Sequence, residues 1–226
     1  MRAAAVETER KYEADARTVV PDLTGLPGVA VQSGPEKLRL EARYYDTADL
    51  RLLRAGITLR RRRGGSDAGW HLKLPAGPDS RQELRTPLGQ PAVVPAEFAR
   101  LVRVHARTAV LVPVARITTV RRQRTLLDAD GISLAEVADD TVSAQGAGES
   151  GARSRWREIE VELTGGGRQL LVAADALLLA AGLRRPGRRT KLERALAGRL
   201  PPSPPPPDPR GHSAGDVVLA YLTEQA

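Results

Sequence analysis

The segment VETERKYEAD, residues 6–15, is the most informative part of this sequence. In it, Glu7, Glu9 and Lys11 stand at every second position. Side chains alternate between two faces on a strand, whereas on a helix these three would spread around the axis. The stretch therefore predicts a β-strand with two carboxylates and one ammonium on one face. Such a row suits a wet, charged cavity; the alternative is an exposed edge strand with a solvated polar face.

The same alternation recurs in later segments of the chain. Apolar residues often occupy the opposite face of these segments, as in GWHLKLP (69–75) and REIEVEL (157–163). Basic or mixed rows occur on the middle strands and comprise Arg60 and Arg62; His71 and Lys73; Arg81, Glu83 and Arg85; and Arg116, Arg122 and Arg124. A purely acidic row occurs late and comprises Glu158, Glu160 and Glu162.

The sorting of these charges is more informative than their number. A sheet with a solvated face would also alternate, but solvent does not require acids and bases to lie on separate strands. Basic strands could hold an anion, and carboxylate strands could hold a divalent cation against it. If the sheet closed on itself, the charged faces would line the inside and the apolar faces would pack outward under helices. The pattern favours an interior that binds a polyanion.

The remaining segments complete an α+β architecture. Further strands are predicted at 3–15, 38–47, 57–64, 69–75, 80–86 and 155–163, with two or three more within 114–144. Helices are predicted at 48–56, 95–106, 167–183 and 190–198. We therefore expect a closed antiparallel β-barrel flanked by helices.

Composition limits the class of protein. The chain has 226 residues, no Cys, and 35 Lys+Arg against 27 Asp+Glu, for a net charge of +8. The basic excess indicates an anionic partner, and the absence of Cys excludes disulfides and thiolate metal sites. No run approaches the roughly 18–20 apolar residues that cross a bilayer. We expect a cytoplasmic protein that does not enter membranes.

Two other ligand classes are disfavoured. The run LRRRR (59–63) could contact nucleic acid, but no aromatic residues are interleaved with it to stack bases. The three histidines, His71, His105 and His212, are scattered, which disfavours a histidine metal site. Trp70 and Trp156 are expected to pack on the outer faces of their strands, and Asp46 to act as a turn or cap residue.

The composition changes abruptly after Leu200. Residues 200–211 are rich in proline and predict a semi-rigid linker. Residues 212–226 follow with apolar side chains at helical spacing, which predicts an amphipathic helix too short to be stable alone. We interpret this helix as the start of a second domain.

The ordered motifs resemble those of the CYTH domain, the triphosphate tunnel family of class IV adenylyl cyclases and thiamine triphosphatases. The opening carries the family's ExExK motif, and YYDT (44–47), LRRRR, GWHLKLP, RQE (81–83), REIEVEL and TKLERAL (190–196) follow in the family's order. The resemblance covers about residues 4–199, so that residues 1–199 form the expected domain. Residues 213–222 resemble the first helix of a CHAD domain, which would be a partner module in a longer chain.

The resemblance implies a role for each charged row. The metal ligands would be Glu7, Glu9, Glu158 and Glu160, with Glu162 as a further carboxylate. One more acid would come from the strand before them, where the register of Glu136, Asp139 and Asp140 is ambiguous. We take Glu136 and Asp139 as the candidate metal ligands there. The groups that bind the substrate would be Lys11, Arg60, Arg62, Lys73, Glu83, Arg122 with Arg116 and Arg124, and Lys191.

The activity implied is hydrolysis of a triphosphate with Mg²⁺ or Mn²⁺. Inorganic tripolyphosphate is the favoured substrate, and Lys11, Arg60 and Arg62 would stabilise charge on the transferred phosphate. Two alternatives stay open. An adenylyl cyclase would use the same tunnel on ATP, and a non-catalytic module would bind polyphosphate without cleaving it.

Overall fold

The computed structural model describes residues 2–77, 79–147, 153–187 and 190–199. Its strands are β1 (Arg2–Ala14), β2 (Val31–Gln32), β3 (Glu36–Asp46), β4 (Thr58–Arg63), β5 (Gly69–Pro75), β6 (Ser80–Thr86), β7 (Val112–Leu127), β8 (Ser133–Gly146) and β9 (Arg153–Leu163). Its helices are α1 (Arg51–Arg54), α2 (Ala96–Leu101), α3 (Arg103–Ala106), α4 (Arg168–Ala180) and α5 (Lys191–Ala195). The predicted linker and C-terminal helix lie outside the described residues.

Eight long strands close into an antiparallel barrel. They follow the order β7-β3-β4-β5-β6-β1-β9-β8, and pairing of β7 with β8 joins the two ends. The short strand β2 adds to β7 at Leu126 and Leu127. The predicted closed barrel is confirmed. Residues 114–144 form the β7–β8 hairpin, whose turn is stabilised by the Asp128 carboxylate, which accepts from the backbone N–H of Asp130 and Ile132.

Apolar residues on the outer faces of the strands pack under helices. One cluster lies beneath α4 and includes Tyr12, Val137, Ile159, Leu170 and Leu178. A second cluster lies beneath α1, α2 and α3 and includes Leu59, Trp70, Leu72, Leu84 and Phe98. Burying these side chains stabilises the barrel, because each contributes roughly 1.5–3 kcal/mol when removed from water. Trp70 therefore packs outside, as expected.

A third apolar cluster fills part of the interior. Tyr44, Ile117 and Val142 meet Leu192 of α5 there, together with Trp156. Trp156 shares its strand face with Glu158 and Glu160, and its indole N–H donates to Glu158. The expectation that Trp156 packs outside is therefore wrong. The apolar plug beneath α5 accepts an aromatic ring on the same face that carries carboxylates further along the strand.

No helix in the described ranges is both long enough and apolar enough to span a bilayer.

Candidate functional site

The inward faces of the strands enclose a cavity of about 420 Å³. Every long strand contributes to the described barrel wall around it. The charged residues that line the cavity are Glu7, Glu9, Lys11, Glu36, Arg60, Arg62, Asp67, Lys73, Arg81, Arg85, Arg121, Glu136, Glu160, Glu162 and Lys191. The strand alternation predicted most of this set, because residues two apart on one strand must share a face.

Guanidinium groups are crowded on one side of the cavity. Burial, followed by the charges of Arg60 and Arg121, lowers the pKa of Arg62 to about 9. Asp67 forms an ion pair with Arg62 at the edge of the cluster. Arg60 donates a 3.4 Å hydrogen bond to the hydroxyl of Tyr44. Positive charges held this close in a buried place create a site where an anion would be stabilised.

Glu83 lies behind this basic wall and orients it. Its side chain is fully buried and accepts hydrogen bonds from Arg85 and from His71, whose Nδ1 is 2.9 Å away. Lys73 and Arg60 lie 3.7 and 3.9 Å from it. Burial alone would raise the pKa of Glu83, but the hydrogen bond from His71 and the charge of Lys73 lower it. The carboxylate therefore stays ionised and holds its basic neighbours in place.

The part that His71 plays in this arrangement was not predicted. Its Nδ1 faces Glu83, and its Nε2 lies 2.8 Å from the backbone oxygen of Asp67. The alternation of GWHLKLP does place His71 on the face of Lys73, and this was the available signal. A single histidine among scattered ones gave no indication that it would bridge a buried carboxylate and the β4–β5 loop.

Carboxylates gather on the opposite side of the cavity, where β1 pairs with β9. Glu9 lies opposite Glu162, and Lys11 lies opposite Glu160 in the strand register. Lys11 forms ion pairs with Glu160 and with Glu9, the latter at 3.1 Å. Burial, and then repulsion from Glu7, raises the pKa of Glu162 to about 7, although Lys73 partly offsets this. This wall holds more negative charge than its lysines neutralise.

A second acidic group lies beside the N-terminus of α5. Ligand atoms of Asp140, Glu158 and Glu160 lie within 4.8 Å of one another, and all three residues are buried. The Lys191 ammonium lies 3.0, 2.5 and 2.9 Å from these carboxylates, respectively. Arg121 also donates to Asp140 and Glu160. These oxygens form a cation-binding position, which the lysine side chain fills in this structure.

Lys191 is fixed there by the start of its helix. The Thr190 side chain accepts from the backbone N–H of Glu193, and the Glu193 carboxylate accepts from the backbone N–H of Thr190. This reciprocal capping box satisfies two backbone donors that the helix cannot satisfy itself. The first residue after the cap is therefore directed into the barrel.

The predicted register of β7 is corrected by the structure. Arg121, with Thr119 and Ile117, lines the cavity, whereas Arg116, Arg122 and Arg124 have the opposite parity and do not line it. Arg122 is exposed, and Arg116 donates a 3.1 Å hydrogen bond to Glu41 on the outer surface. The strand carries arginine on both faces, so alternation alone could not choose between Arg121 and Arg122.

The acid predicted on β8 is corrected in the same way. Asp139 lies on the outer face and accepts from Arg157 at 2.8 Å, so it cannot reach the cavity. Its neighbour Asp140 faces inward and joins the cluster around Lys191. Glu136 lines the cavity, opposite Glu162 in the register of β8 and β9. Two adjacent acids point to opposite sides of a strand, and the sequence did not show which one was inside.

The family is established by the match to known domains. The family model described as the CYTH domain matches residues 5–195. This chain belongs to the CYTH domain family.

Known relatives share the sequence over most of this chain. An uncharacterized protein of Mycobacterium tuberculosis, found in strains H37Rv and CDC 1551, is 42% identical over 237 residues. The alignment covers 96% of this chain and 46% of that protein. The chain thus spans about half the length of the curated relatives it matches.

Solved structures share the fold at low identity. A candidate adenylate cyclase from Bacillus halodurans has a TM-score of 0.52 and 16% identity, covering 84% of this chain and 97% of that one. A candidate adenylyl cyclase from Hippeastrum, described with a dominant triphosphatase activity, has a TM-score of 0.50 and 14% identity, covering 87% and 97%. At such identities the likeness extends to the fold alone.

Proposed function

We propose that this domain hydrolyses a triphosphate with the help of a divalent metal ion, and that inorganic tripolyphosphate is its preferred substrate. The observation that carries the proposal is the opposition of a basic wall and an acidic wall within one enclosed cavity. Phosphate chains require this pairing, because arginine and lysine neutralise the oxygens and a carboxylate-held metal bridges them.

The phosphate chain would lie along the guanidinium side. Arg60 and Arg62 would donate to its oxygens, and the anion would offset the burial and the neighbouring positive charges that lower the pKa of Arg62. Arg121, which donates to Asp140 and Glu160, would contact the chain from the acidic side. Lys73 and Lys11 lie between the two walls and would contact the same chain. Bidentate guanidinium–phosphate contacts are directional, so they would fix which phosphorus atom faces the acids.

The residues on the acidic side fit a divalent cation. Burial raises the pKa of Glu162 most, and the charges of Glu7, Glu9 and Glu160 raise it further, so a cation placed among these carboxylates would be stabilised. We assign the metal to Asp140, Glu158 and Glu160, whose ligand oxygens lie within 4.8 Å of one another, once Lys191 moves aside. Glu9 and Glu162 of the same wall would be further ligands. Hard oxygen ligands of this kind suit Mg²⁺ or Mn²⁺. When bound, such an ion would polarise phosphate oxygens and lower the pKa of a bound water.

The chain's own residues would supply positioning and charge stabilisation. Phosphoryl transfer develops negative charge on the oxygens of the transferred and leaving groups. Lys11, Arg60 and Arg62 are already held in place by Glu160, Tyr44 and Asp67, so little reorganisation is needed during the reaction. Preorganised donors of this type typically contribute about 10²–10³-fold each to turnover.

The structural relative from Hippeastrum supports this reaction, since it is described with a dominant triphosphatase activity. Membership of the CYTH family supports it at the level of class.

A second candidate, adenylyl cyclase, is favoured by one observation. Leu38, Leu40 and Ala42 of β3 line the same cavity together with Tyr44. This apolar strip offers a surface against which a nucleobase could pack. ATP would then bind with its triphosphate on the basic wall, and cyclisation would release pyrophosphate.

The test is phosphate release from tripolyphosphate, ATP and thiamine triphosphate with Mg²⁺ or Mn²⁺. The wild type would be compared with Glu9→Gln, and with Glu97→Gln on α2 as a charge-matched control outside the cavity. We expect rapid release from tripolyphosphate, its loss in Glu9→Gln and normal rates in Glu97→Gln.

The other outcomes separate the alternatives. Cyclic AMP and pyrophosphate from ATP would identify a cyclase. Tight binding of phosphate chains without turnover of any substrate would overturn the enzymatic proposal and leave a binding module.

A further inference from the structure

The outer surface of the barrel carries a second basic region, distinct from the cavity. Helices cover the outer faces of β1 and β9 near α4, and of β4 to β6 near α1–α3. Part of the outer face of β3, β7, β8 and the start of β9 lies beyond these clusters, although Tyr45, Leu126 and Val137 belong to them. The exposed arginines on this outer basic face are Arg39, Arg43, Arg116, Arg122, Arg153 and Arg155.

The register brings these side chains together in rows across the sheet. One row runs across four strands and consists of Arg43 on β3, Arg116 on β7, Gln145 on β8 and Arg153 on β9. The next row contains Ser143 and Arg155. Neighbouring strands are about 4.8 Å apart, so each row spans a width comparable to several linked phosphate groups. Like charges directly opposite each other, such as Arg43 and Arg116, destabilise a sheet. An anion bound on this surface would reduce their repulsion.

Few carboxylates on this face compensate the charge. In the described part of the face, Glu41 pairs with Arg116 at 3.1 Å and Asp139 pairs with Arg157 at 2.8 Å. The side chains of Arg153 and Arg155 have no hydrogen-bond or ion-pair partner among the residues the structure describes. The guanidinium groups of these two arginines, two residues apart on β9, therefore have N–H donors available for a ligand.

A shallow cavity of about 490 Å³ opens on this face and gives the rows a concave centre. Arg116, Arg153 and Arg155 line it together with Thr118, Ser143 and Gln145. The lining thus combines guanidinium, hydroxyl and amide groups, all of which can donate to phosphate oxygens. An anion seated there could accept several hydrogen bonds at once.

We propose that the outer basic face binds a linear inorganic polyphosphate chain, at a site separate from the cavity inside the barrel. The shape of the surface selects this polyanion over nucleic acid. A stiff duplex, with a persistence length of about 50 nm, would touch a curved barrel wall along one line only. Single-stranded nucleic acid binds through aromatic stacking platforms, and this face presents arginine and hydroxyl groups instead. A thin, flexible phosphate chain can follow the rows.

The test is binding of long-chain inorganic polyphosphate to the full chain, measured by calorimetry at two salt concentrations. The variant Arg153→Gln/Arg155→Gln removes the two unpaired guanidinium groups. Arg100→Gln/Arg103→Gln, on α2 and α3, is its charge-matched control. We expect the first variant to weaken binding about tenfold and to flatten its salt dependence, because each exposed ion pair is worth a few-fold. The control should bind like wild type.

Two further arms separate this site from the one inside the barrel. Turnover and binding of tripolyphosphate should be unchanged in Arg153→Gln/Arg155→Gln. Arg60→Gln should lose tripolyphosphate turnover yet keep long-chain binding, so the outer site can be detected even if the domain hydrolyses nothing.

Equal weakening in the two double variants would overturn the proposal, since it would show a response to net charge alone. Unchanged long-chain binding in Arg153→Gln/Arg155→Gln would also overturn it. The proposal would also be overturned if duplex or single-stranded DNA bound more tightly than polyphosphate and did so through Arg153 and Arg155. Thermal unfolding of each variant serves as the check that the barrel is intact.

Discussion

Arg121 and Arg122 are adjacent in sequence but face opposite sides of the barrel wall. Arg121 donates to Asp140 and Glu160 beside the cavity, whereas Arg122 is exposed outside. This pair offers a test of the cavity as the functional site, because the two substitutions change the same charge on the same strand.

We expect Arg121→Gln to lower kcat/KM for tripolyphosphate by about 10²-fold, the effect typical of losing one preorganised donor. Arg122→Gln should stay within about twofold of wild type, because surface substitutions away from special contacts have small effects. Steady-state phosphate release measures both. Equal losses in the two variants would contradict the placement of the site inside the barrel.

The titration of Glu162 gives a prediction about pH. Its pKa in the folded, metal-free protein is raised from about 4.5 to about 7, so folding favours the protonated form. Its contribution to the free energy of unfolding is therefore most favourable below pH 4.5 and is lost as the pH rises through 7. A metal ion needs the ionised form, so Mg²⁺ should raise the melting temperature more at pH 8 than at pH 6.

The variant Glu162→Gln tests this assignment. It should flatten the pH dependence of stability between pH 5 and 8 without metal, and reduce the stabilisation by Mg²⁺ at pH 8. Calorimetry in buffers of different ionisation enthalpy would report proton release on metal binding near pH 6.5. No proton release in the wild type would contradict the role given to Glu162.

At the scale of elements, the alternation of charged and apolar residues predicted strands β1, β4, β5, β6 and β9 well. On β5 and β6 charge occurs on one face only, and on β1 and β9 the row of acids marked the inner face. On β4 arginine lies on both faces, and the choice of Arg60 and Arg62 rested on the family resemblance. Alternation failed on β7 and β8, where Arg121 and Arg122, or Asp139 and Asp140, put the same chemistry on both faces. Only the pairing partners across the closed barrel decide the register there.

The short helix α1 depends on one buried acid. The carboxylate of Asp46 accepts from the backbone N–H groups of Thr47, Leu52 and Leu53, at 2.7 to 2.9 Å. The structural role expected for Asp46 agrees with these contacts. Burial raises its pKa, although the three backbone donors oppose this.

We expect Asp46→Ala to lower the free energy of unfolding by about 3 kcal/mol, because buried backbone donors would lose their partner. Urea titration followed by circular dichroism measures this. Asp49→Ala, which changes an exposed acid in the same loop, is the control and should cost far less. Activity per folded molecule should be preserved in Asp46→Ala, since α1 lies outside the cavity; a large loss would connect this helix to the site.

At the scale of the whole molecule, the closed barrel would hold both proposed ligands in one cavity. Anion and cation would lie between the same two walls and would each reduce the electrostatic cost of binding the other. Binding free energies are reciprocal, so the coupling must appear in both titrations. We expect Mg²⁺ to tighten tripolyphosphate binding at least tenfold, and tripolyphosphate to tighten Mg²⁺ binding by the same factor.

Calorimetric titration of a slowly hydrolysing variant such as Arg60→Gln, in both orders, would measure the coupling. Titration of Mg²⁺ into tripolyphosphate alone supplies the correction for their association in solution. Independent binding after that correction would contradict a shared cavity.

The position of Lys191 among Asp140, Glu158 and Glu160 has a consequence for how the domain matures. Three buried carboxylates repel one another, which would oppose folding unless a cation lay between them. Here the Lys191 ammonium, at the start of α5, is that cation. We therefore expect the barrel to fold without added metal. Chelators should remove its activity reversibly and leave its fold in place, unlike a zinc finger, which unfolds when its ion is withdrawn.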